Sequence, residues 1–273
     1  MSDRLLSLAA LTILDAGPAG QIRAAADAGW ASVGLRLMPL LDSDACVLGN
    51  PAAEAEVELL LDETGLGVLE IGVFPVKPVM DWALIEAVVA FSARLDAQHL
   101  VCPIEDVDAD RRLTTFTRLC EIADRQGMSG LVEFNPYSAC RNVAAAADLA
   151  QRSGRQNAGL VIDALHLSRS GGCPEDLNAV DPAMLRLVHL CDAPPPPDQS
   201  RSVDELRSES RTARLLPGEG SLWLDRLLDV LPPDCAISVE APSARHAHLT
   251  ATERAGQALV ATQALIAKRA FRP

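Results

Sequence analysis

Leu160-Val161-Ile162-Asp163-Ala164-Leu165-His166 is a short apolar run that ends in a carboxylate. Three other runs of the second half follow the same plan: Leu131-Val132-Glu133-Phe134-Asn135, Leu187-Val188-His189-Leu190-Cys191-Asp192 and Ile237-Ser238-Val239-Glu240-Ala241. Runs of this length and composition read as buried strands. One polar group at the end of such a strand is ordinary. Four in succession, all carboxylate or imidazole, point to one shared centre if the strand ends can meet.

Working outward from these runs, the whole chain alternates. Strands are expected over the apolar run Leu5 to Leu14, then Ser32 to Met38, Val68 to Val73, His99 to Pro103, and up to Glu133, Asp163, Asp192 and Glu240 in turn. Between them lie helical periods with their own start and stop signals. Asp81 precedes Leu84, Val88 and Phe91 at helical spacing, and Gly29, Gly65 and Gly127 sit just past helix ends. Ser221 is expected to cap a helix running to Leu231. Eight strands alternating with about eight helices imply a parallel sheet closed into a single (β/α)8 TIM barrel of about 250 residues. An open dinucleotide-binding sheet would want G-x-G-x-x-G after its first strand, and Asp15-Ala16-Gly17-Pro18-Ala19-Gly20 lacks it. With no linker in evidence, residues 1–273 read as one domain. The stretch 194–220, with four prolines from Pro194 to Pro197, reads as one long irregular loop and a lid over the barrel mouth.

Composition narrows the function. The chain has 273 residues, is 49% hydrophobic and 22% charged, and carries a net charge of -13. Such a surface disfavours nucleic acid and acidic membranes. Lys77 and Lys268 are the only lysines, which leaves little room for Schiff-base chemistry. Seven cysteines, an odd number with no C-x-x-C pair, suggest a reduced, cytoplasmic protein. No run of about 18 uncharged apolar residues suggests a membrane span. The expected partner is a small molecule, with homo-oligomerisation left open.

Barrel geometry explains how the four strand ends could converge. Active sites of barrels form at the C-terminal ends of the strands, and side chains alternate in and out along each strand. That parity groups Leu131 with Glu133, Val161 with Asp163, Leu187 with His189 and Ser238 with Glu240. Three carboxylates in one mouth repel unless protonated or bound to a cation. One imidazole added to them makes a mixed oxygen and nitrogen set suited to one divalent ion, Mn, Mg, Co or Zn. Each member alone could equally cap a helix or join an ion pair.

At these residues the chain resembles the xylose isomerase-like TIM barrels of the sugar phosphate isomerase/epimerase superfamily. The likeness runs over nearly the whole chain and is most specific at Glu133, Asp163-x-x-His166, His189-x-x-Asp192, Pro217-Gly218-Glu219-Gly220 and Glu240-x-Pro242. It implies that Glu133, Asp163, His189 and Glu240 bind one divalent metal. It also implies that His166 and an arginine of the following loop bind substrate, Arg214 ahead of Arg211 and Arg201. Arg36, at the end of the second strand, and Glu70 and Lys77, flanking the end of the third, are further candidates for substrate contact, although a surface or ion-paired role is the commoner one for such residues.

The implied activity is a metal-dependent isomerase or epimerase of a small sugar or hydroxy-ketone, such as a polyol ketone. Glu133 and Glu240 would be the acid and base that move a carbon-bound proton through an enediolate. A dehydratase of the inosose or 3-dehydroshikimate type is the alternative, as is a catalytically silent sugar- or metal-binding barrel. His246-x-His248 is a weak candidate for a second metal site, because no carboxylate follows before Glu253. Cys191 reads as a buried thiol, and His99 lies at the wrong end of its strand for chemistry.

Overall fold

A computed structural model describes residues 4–38, 47–195 and 201–270. Eight parallel strands pair in sequence order and close on themselves: β1 (Leu6–Leu8), β2 (Ser32–Arg36), β3 (Gly67–Gly72), β4 (His99–Pro103), β5 (Ser129–Glu133), β6 (Ala158–Asp163), β7 (Leu185–Leu190) and β8 (Ala236–Val239). The helices are α1 (Gly17–Ala28), α2 (Pro51–Thr64), α3 (Trp82–Arg94), α4 (Ala109–Asp124), α5 (Val143–Arg152), α6 (Ala164–Arg169), α7 (Val203–Thr212), α8 (Leu224–Val230) and α9 (Ala251–Ala270). The expected (β/α)8 TIM barrel is thus the observed fold.

Strand parity sorts the apolar side chains into two cores. Leu69, Val101, Leu131, Val161, Leu187 and Ala236 pack together inside the barrel. Their neighbours Val68, Val132, Ile162 and Val188 belong to the larger core between strands and helices. Residues one step further along β5, β6 and β7 on the inward face are Glu133, Asp163 and His189, so the inner apolar layer forms the floor of a polar mouth. Local signals set the helix entries. Asn50, Asp81, Asp108 and Asn142 each accept a backbone N–H from the first turn of the following helix. Gly29 and Gly65 close α1 and α2 with φ of 86° and 68°, which only glycine adopts without strain.

Two boundaries differ from expectation. The run from Leu5 to Leu14 is strand only at Leu6–Leu8, and 3-10 turns occupy Ala10–Ala16. The Thr12 hydroxyl donates to the Val239 carbonyl at 2.8 Å and accepts from the Ala241 N–H at 2.9 Å. The chain therefore folds back onto the end of β8 instead of continuing past it. Nor does Ser221 cap α8, which starts at Leu224. The backbone N–H of Ser221 instead donates to Ala193 at 2.9 Å.

The same contact belongs to a loop pinned by Asp192. Its carboxylate accepts the N–H groups of Gly218 at 3.1 Å, Leu222 at 2.9 Å and Ala193 at 2.8 Å. Gly220 crosses this point so closely that a Cβ there would collide with the Ala193 carbonyl and the Asp192 carboxylate. This accounts for the pairing of His189-x-x-Asp192 with Pro217-Gly218-Glu219-Gly220 in one sequence.

Contrary to the expected irregular loop, the stretch 194–220 contains α7 at Val203–Thr212; residues 196–200 lie outside the described ones. Ser202 and Glu205 form a reciprocal capping box, a local signal that starts a helix even in a proline-rich segment. Among the described residues no helix is long and apolar enough to cross a membrane. None of the six described cysteines is in a disulfide; Cys46 lies outside the described residues.

His99, at the far end of β4, is pushed down to about 4 by burial. Its pKa in the unfolded chain is about 6.5. The unfolded state therefore binds the proton more readily, and stability falls as pH drops from about 6.5 toward 4. Replacing His99 with Gln is expected to flatten that part of the pH–stability curve, as read by urea melts at pH 7, 5.5 and 4.5.

Candidate metal centre

Glu133, Asp163, His189 and Glu240 offer one ligand atom each, and these atoms all lie within 4.8 Å of one another. It is the one such group among the described residues. β5, β6 and β7 deliver the first three at or next to their last residue, and β8 delivers Glu240 one residue past Val239. The expected convergence is therefore present.

The imidazole of His189 lies at the middle of the group. Its Nε2 is 2.8 Å from an oxygen of Glu70. Its Nδ1 is 3.5 Å from Glu133 Oε1 and 3.5 Å from Glu240 Oε2. That nitrogen is buried and has no hydrogen-bond partner. A buried, unpartnered ring nitrogen facing two carboxylates is the feature that a cation would satisfy. Burial by itself would hold the ring neutral. The carboxylates of Glu70, Glu240 and Glu133 outweigh it and raise the His189 pKa well above that of free histidine.

Asp163 uses both oxygens. Oδ1 accepts the backbone N–H of His166 at 2.8 Å and caps α6. Oδ2 accepts from Arg214 at 2.6 Å. Arg214 is only 1% exposed, and its guanidinium also reaches Glu240 Oε2 at 3.0 Å and the Ser210 carbonyl at 2.8 Å. Burial raises the pKa of Asp163, but Arg214 and His166 bring it below the ordinary aspartate value. Burial acts the same way on Glu240, and His189 and Arg214 hold it well below the usual carboxylate range. Four carboxyl groups, counting Glu70, therefore surround the ring against one guanidinium. A buried imbalance of this kind calls for protons or a cation. The residues fit a divalent ion bound by Glu133, Asp163, Nδ1 of His189 and Glu240.

The expected substrate residues are placed unequally. His166 is buried, with its ring edge-on to Tyr137 at a centroid distance of 5.7 Å. Arg214 sits inside the centre itself, spending its donors on Asp163, Glu240 and Ser210. Arg201 pairs with Glu209 at 2.6 Å, away from the four ligands. Arg36 and Arg211 line a cavity of about 560 Å³ together with Thr12, Gln21, Pro242 and Arg254. This cavity lies on the β1, β2 and β8 side of the mouth, and none of the four candidate ligands lines it. Lys77 is half-exposed, 4.0 Å from Glu105. His246 falls in a short 3-10 turn, outside the ligand group.

The sequence reads Glu70 as a strand-flank residue, on the surface or ion-paired in preference to touching substrate. It is ion-paired, to His189, and it is buried inside β3 rather than on the surface. The available signal was a lone acid among Val68, Leu69 and Ile71. Tyr137 was missed altogether. Its hydroxyl meets Ser210 Oγ at 2.9 Å, and its ring lies 5.5 Å from the Arg207 guanidinium. Both contacts tie α7 to the segment that follows β5. A second tie is the buried pair of Arg169 and Glu209 at 2.8 Å, their side chains 3% and 6% exposed.

The model of one protein family matches residues 22–263, and its description is xylose isomerase-like TIM barrel. The chain belongs to the xylose isomerase-like TIM barrel family. It is also similar to the inosose isomerase of Halalkalibacterium halodurans, at 29% identity over 161 residues, which are 57% of this chain and 54% of that protein. A second inosose isomerase, from Bacillus velezensis, matches over 53% of its length, so the chain aligns with about half of each curated relative. Among solved structures, the IolI protein with a bound zinc atom superposes with a TM-score of 0.81 at 19% identity, covering 97% of this chain and 98% of that one. D-allulose 3-epimerase from Methylomonas sp. gives 0.69 at 18% identity, covering 96% and 97%. These likenesses at low identity support the barrel of the family.

Two outcomes are expected. Titration with Mn²⁺ or Zn²⁺ should find one site per chain and stabilise the protein by about 2.7 kcal/mol at a hundredfold excess over Kd. Because the ring of His189 must lose a proton to bind, affinity should rise with pH toward the raised pKa. The calorimetric enthalpy should also vary with the ionisation enthalpy of the buffer. In turn, Glu209→Ala leaves Arg169 buried without its carboxylate and should cost about 3–5 kcal/mol in a denaturant melt.

Proposed function

We propose that this protein is a divalent-metal-dependent isomerase or epimerase of a small sugar or cyclic polyol ketone. An inosose is the first substrate to test, since both curated relatives are inosose isomerases. One observation carries the reading. Glu133 and Glu240 come from different strands and stop 3.5 Å from the same ring nitrogen, so two carboxylates flank a single centre.

A divalent ion held by the four ligands would supply Lewis acidity toward neighbouring carbonyl and hydroxyl oxygens and acidify the carbon-bound proton beside them. The protein's own groups then move that proton. Glu240, beside His189 and Arg214 at the centre, is placed to take the role of base. Glu133 would return the proton to the other face of the enediolate, and the reverse reaction exchanges the two roles. His166, fixed by the Asp163 cap and the edge of Tyr137, would donate to a substrate hydroxyl. Arg214 offsets negative charge from its place between Asp163 and Glu240. Arg36 and Arg211 would meet the distal part of the substrate in the adjoining cavity. α7 and its flanks form the lid that excludes water from the reactive carbanion equivalent. The chain acts as one domain of the cytoplasm.

Glu133→Gln and Glu240→Gln should each lower turnover of an inosose by about 10²–10⁴-fold while leaving the circular dichroism spectrum unchanged. The wild type in D₂O should incorporate deuterium at the carbon beside the carbonyl. A conjugated-enone absorbance without recoverable isomer would mark a dehydratase instead. Near-normal turnover in either glutamine variant would sink the two-glutamate mechanism.

A further inference from the structure

β3 carries a register shift that has no counterpart in the pattern of its sequence. Val68 pairs with Val33 of β2, but Glu70, not Leu69, pairs with Gly34. Leu69 is left without a partner on that side, as in a β-bulge. Two consecutive side chains consequently reach the barrel interior. Leu69 joins the inner apolar layer, and Glu70 reaches His189. Without the bulge, alternation would send the carboxylate of Glu70 toward the helices, onto the face of Val68, and would turn Ile71 inward.

Inside the barrel, the Glu70 carboxylate is held from three strands. Oε2 lies 2.8 Å from Nε2 of His189 on β7. Oε1 accepts the Ser238 hydroxyl of β8 at 2.6 Å. On β2, Gly34 leaves the necessary space: a Cβ there would come within 2.7 Å of Oε1 and 2.8 Å of Cγ. The side chains of His189 and Glu70 are 3% and 4% exposed, so no water competes for this bond.

We propose that Glu70 is a positioning residue that sets the tautomer and the orientation of the His189 ring, with Ser238 and Gly34 holding Glu70 in turn. A carboxylate accepts only, so Nε2 must carry the proton. Nδ1, the nitrogen that faces Glu133 and Glu240, is then the one that offers its lone pair when a cation binds. Carboxylate partners of ligating histidines orient the ring and raise its basicity, and losing one typically lowers metal affinity 10–100-fold. This inference rests on the reading of the four residues as a metal centre.

The test compares the wild type with Glu70→Gln, which keeps the shape and removes the charge, and with the milder Ser238→Ala. Asp106→Asn serves as a control, since Asp106 is a fully buried carboxylate paired with Arg111. Mn²⁺ and Zn²⁺ affinities are measured by calorimetry, Co²⁺ coordination by its visible spectrum, and the His189 ring nitrogens by ¹⁵N NMR. Glu70→Gln is expected to bind about 10–100-fold more weakly and to change the Co²⁺ spectrum. Ser238→Ala should show a smaller loss in the same direction, and Asp106→Asn should show neither. In the wild type, Nε2 should carry its proton with or without metal. Wild-type affinity and an unchanged spectrum in Glu70→Gln, or a wild-type Nε2 without a proton, would overturn the proposal. If Glu70→Gln does not fold, Ser238→Ala and the wild-type NMR still decide it. A wild type that binds no divalent ion would defeat the metal reading instead, while a change in the His189 ring ¹⁵N signals between wild type and Glu70→Gln would still report whether Glu70 sets the ring, and identical signals would overturn that.

Discussion

Asp163 and Arg214 meet at 2.6 Å with side chains 0% and 1% exposed. Burying either charge alone would cost several kcal/mol, so each requires the other. Arg214 continues to Glu240 and to the Ser210 carbonyl, while the second oxygen of Asp163 caps α6 and so places His166. One ion pair therefore connects β6, the residue after β8, the start of α6 and the end of α7. Disturbing it would affect two candidate ligands, Asp163 and Glu240, and two candidate substrate residues, His166 and Arg214, together.

The segment after β7 depends on this arrangement and on a parallel one. Asp192 gathers three backbone N–H groups and fixes the path of Pro217-Gly218-Glu219-Gly220, where Gly220 must lack a Cβ. Glu209 pairs with Arg169 and Arg201, and Ser210 meets Tyr137. α7 is polar along much of its length and contributes little to the core. Directed contacts between charged and hydroxyl groups hold it in place.

Much of the site was legible because two periodicities carry it. Alternation along β5, β6 and β7 puts Glu133, Asp163 and His189 on the face of Leu131, Val161 and Leu187, which form the inner layer. Eight βα units then bring those faces to one mouth. The irregular parts were harder to read. The run before Thr12 has the apolarity of a strand, yet bends at the end of β8 through a hydroxyl with two partners. The helix at Val203–Thr212 was masked by flanking prolines, although Ser202 and Glu205 marked its start. Arg214 was recognisable as the arginine of that loop, but its seat among the ligands was not.

From its sequence alone the chain specifies a closed eight-stranded barrel and four converging ligand-type side chains, because strand parity and βα alternation are local and repetitive. The tertiary structure alone decides how those groups are compensated and aimed. The bulge that turns Glu70 inward arises from the pairing of β3 with β2. The space for its carboxylate depends on Gly34, and its two bonds depend on β7 and β8. Contacts drawn from four strands leave no pattern within any one of them. The chemistry at the barrel mouth was therefore readable residue by residue, while the orientation of its central ring is a property of the closed barrel.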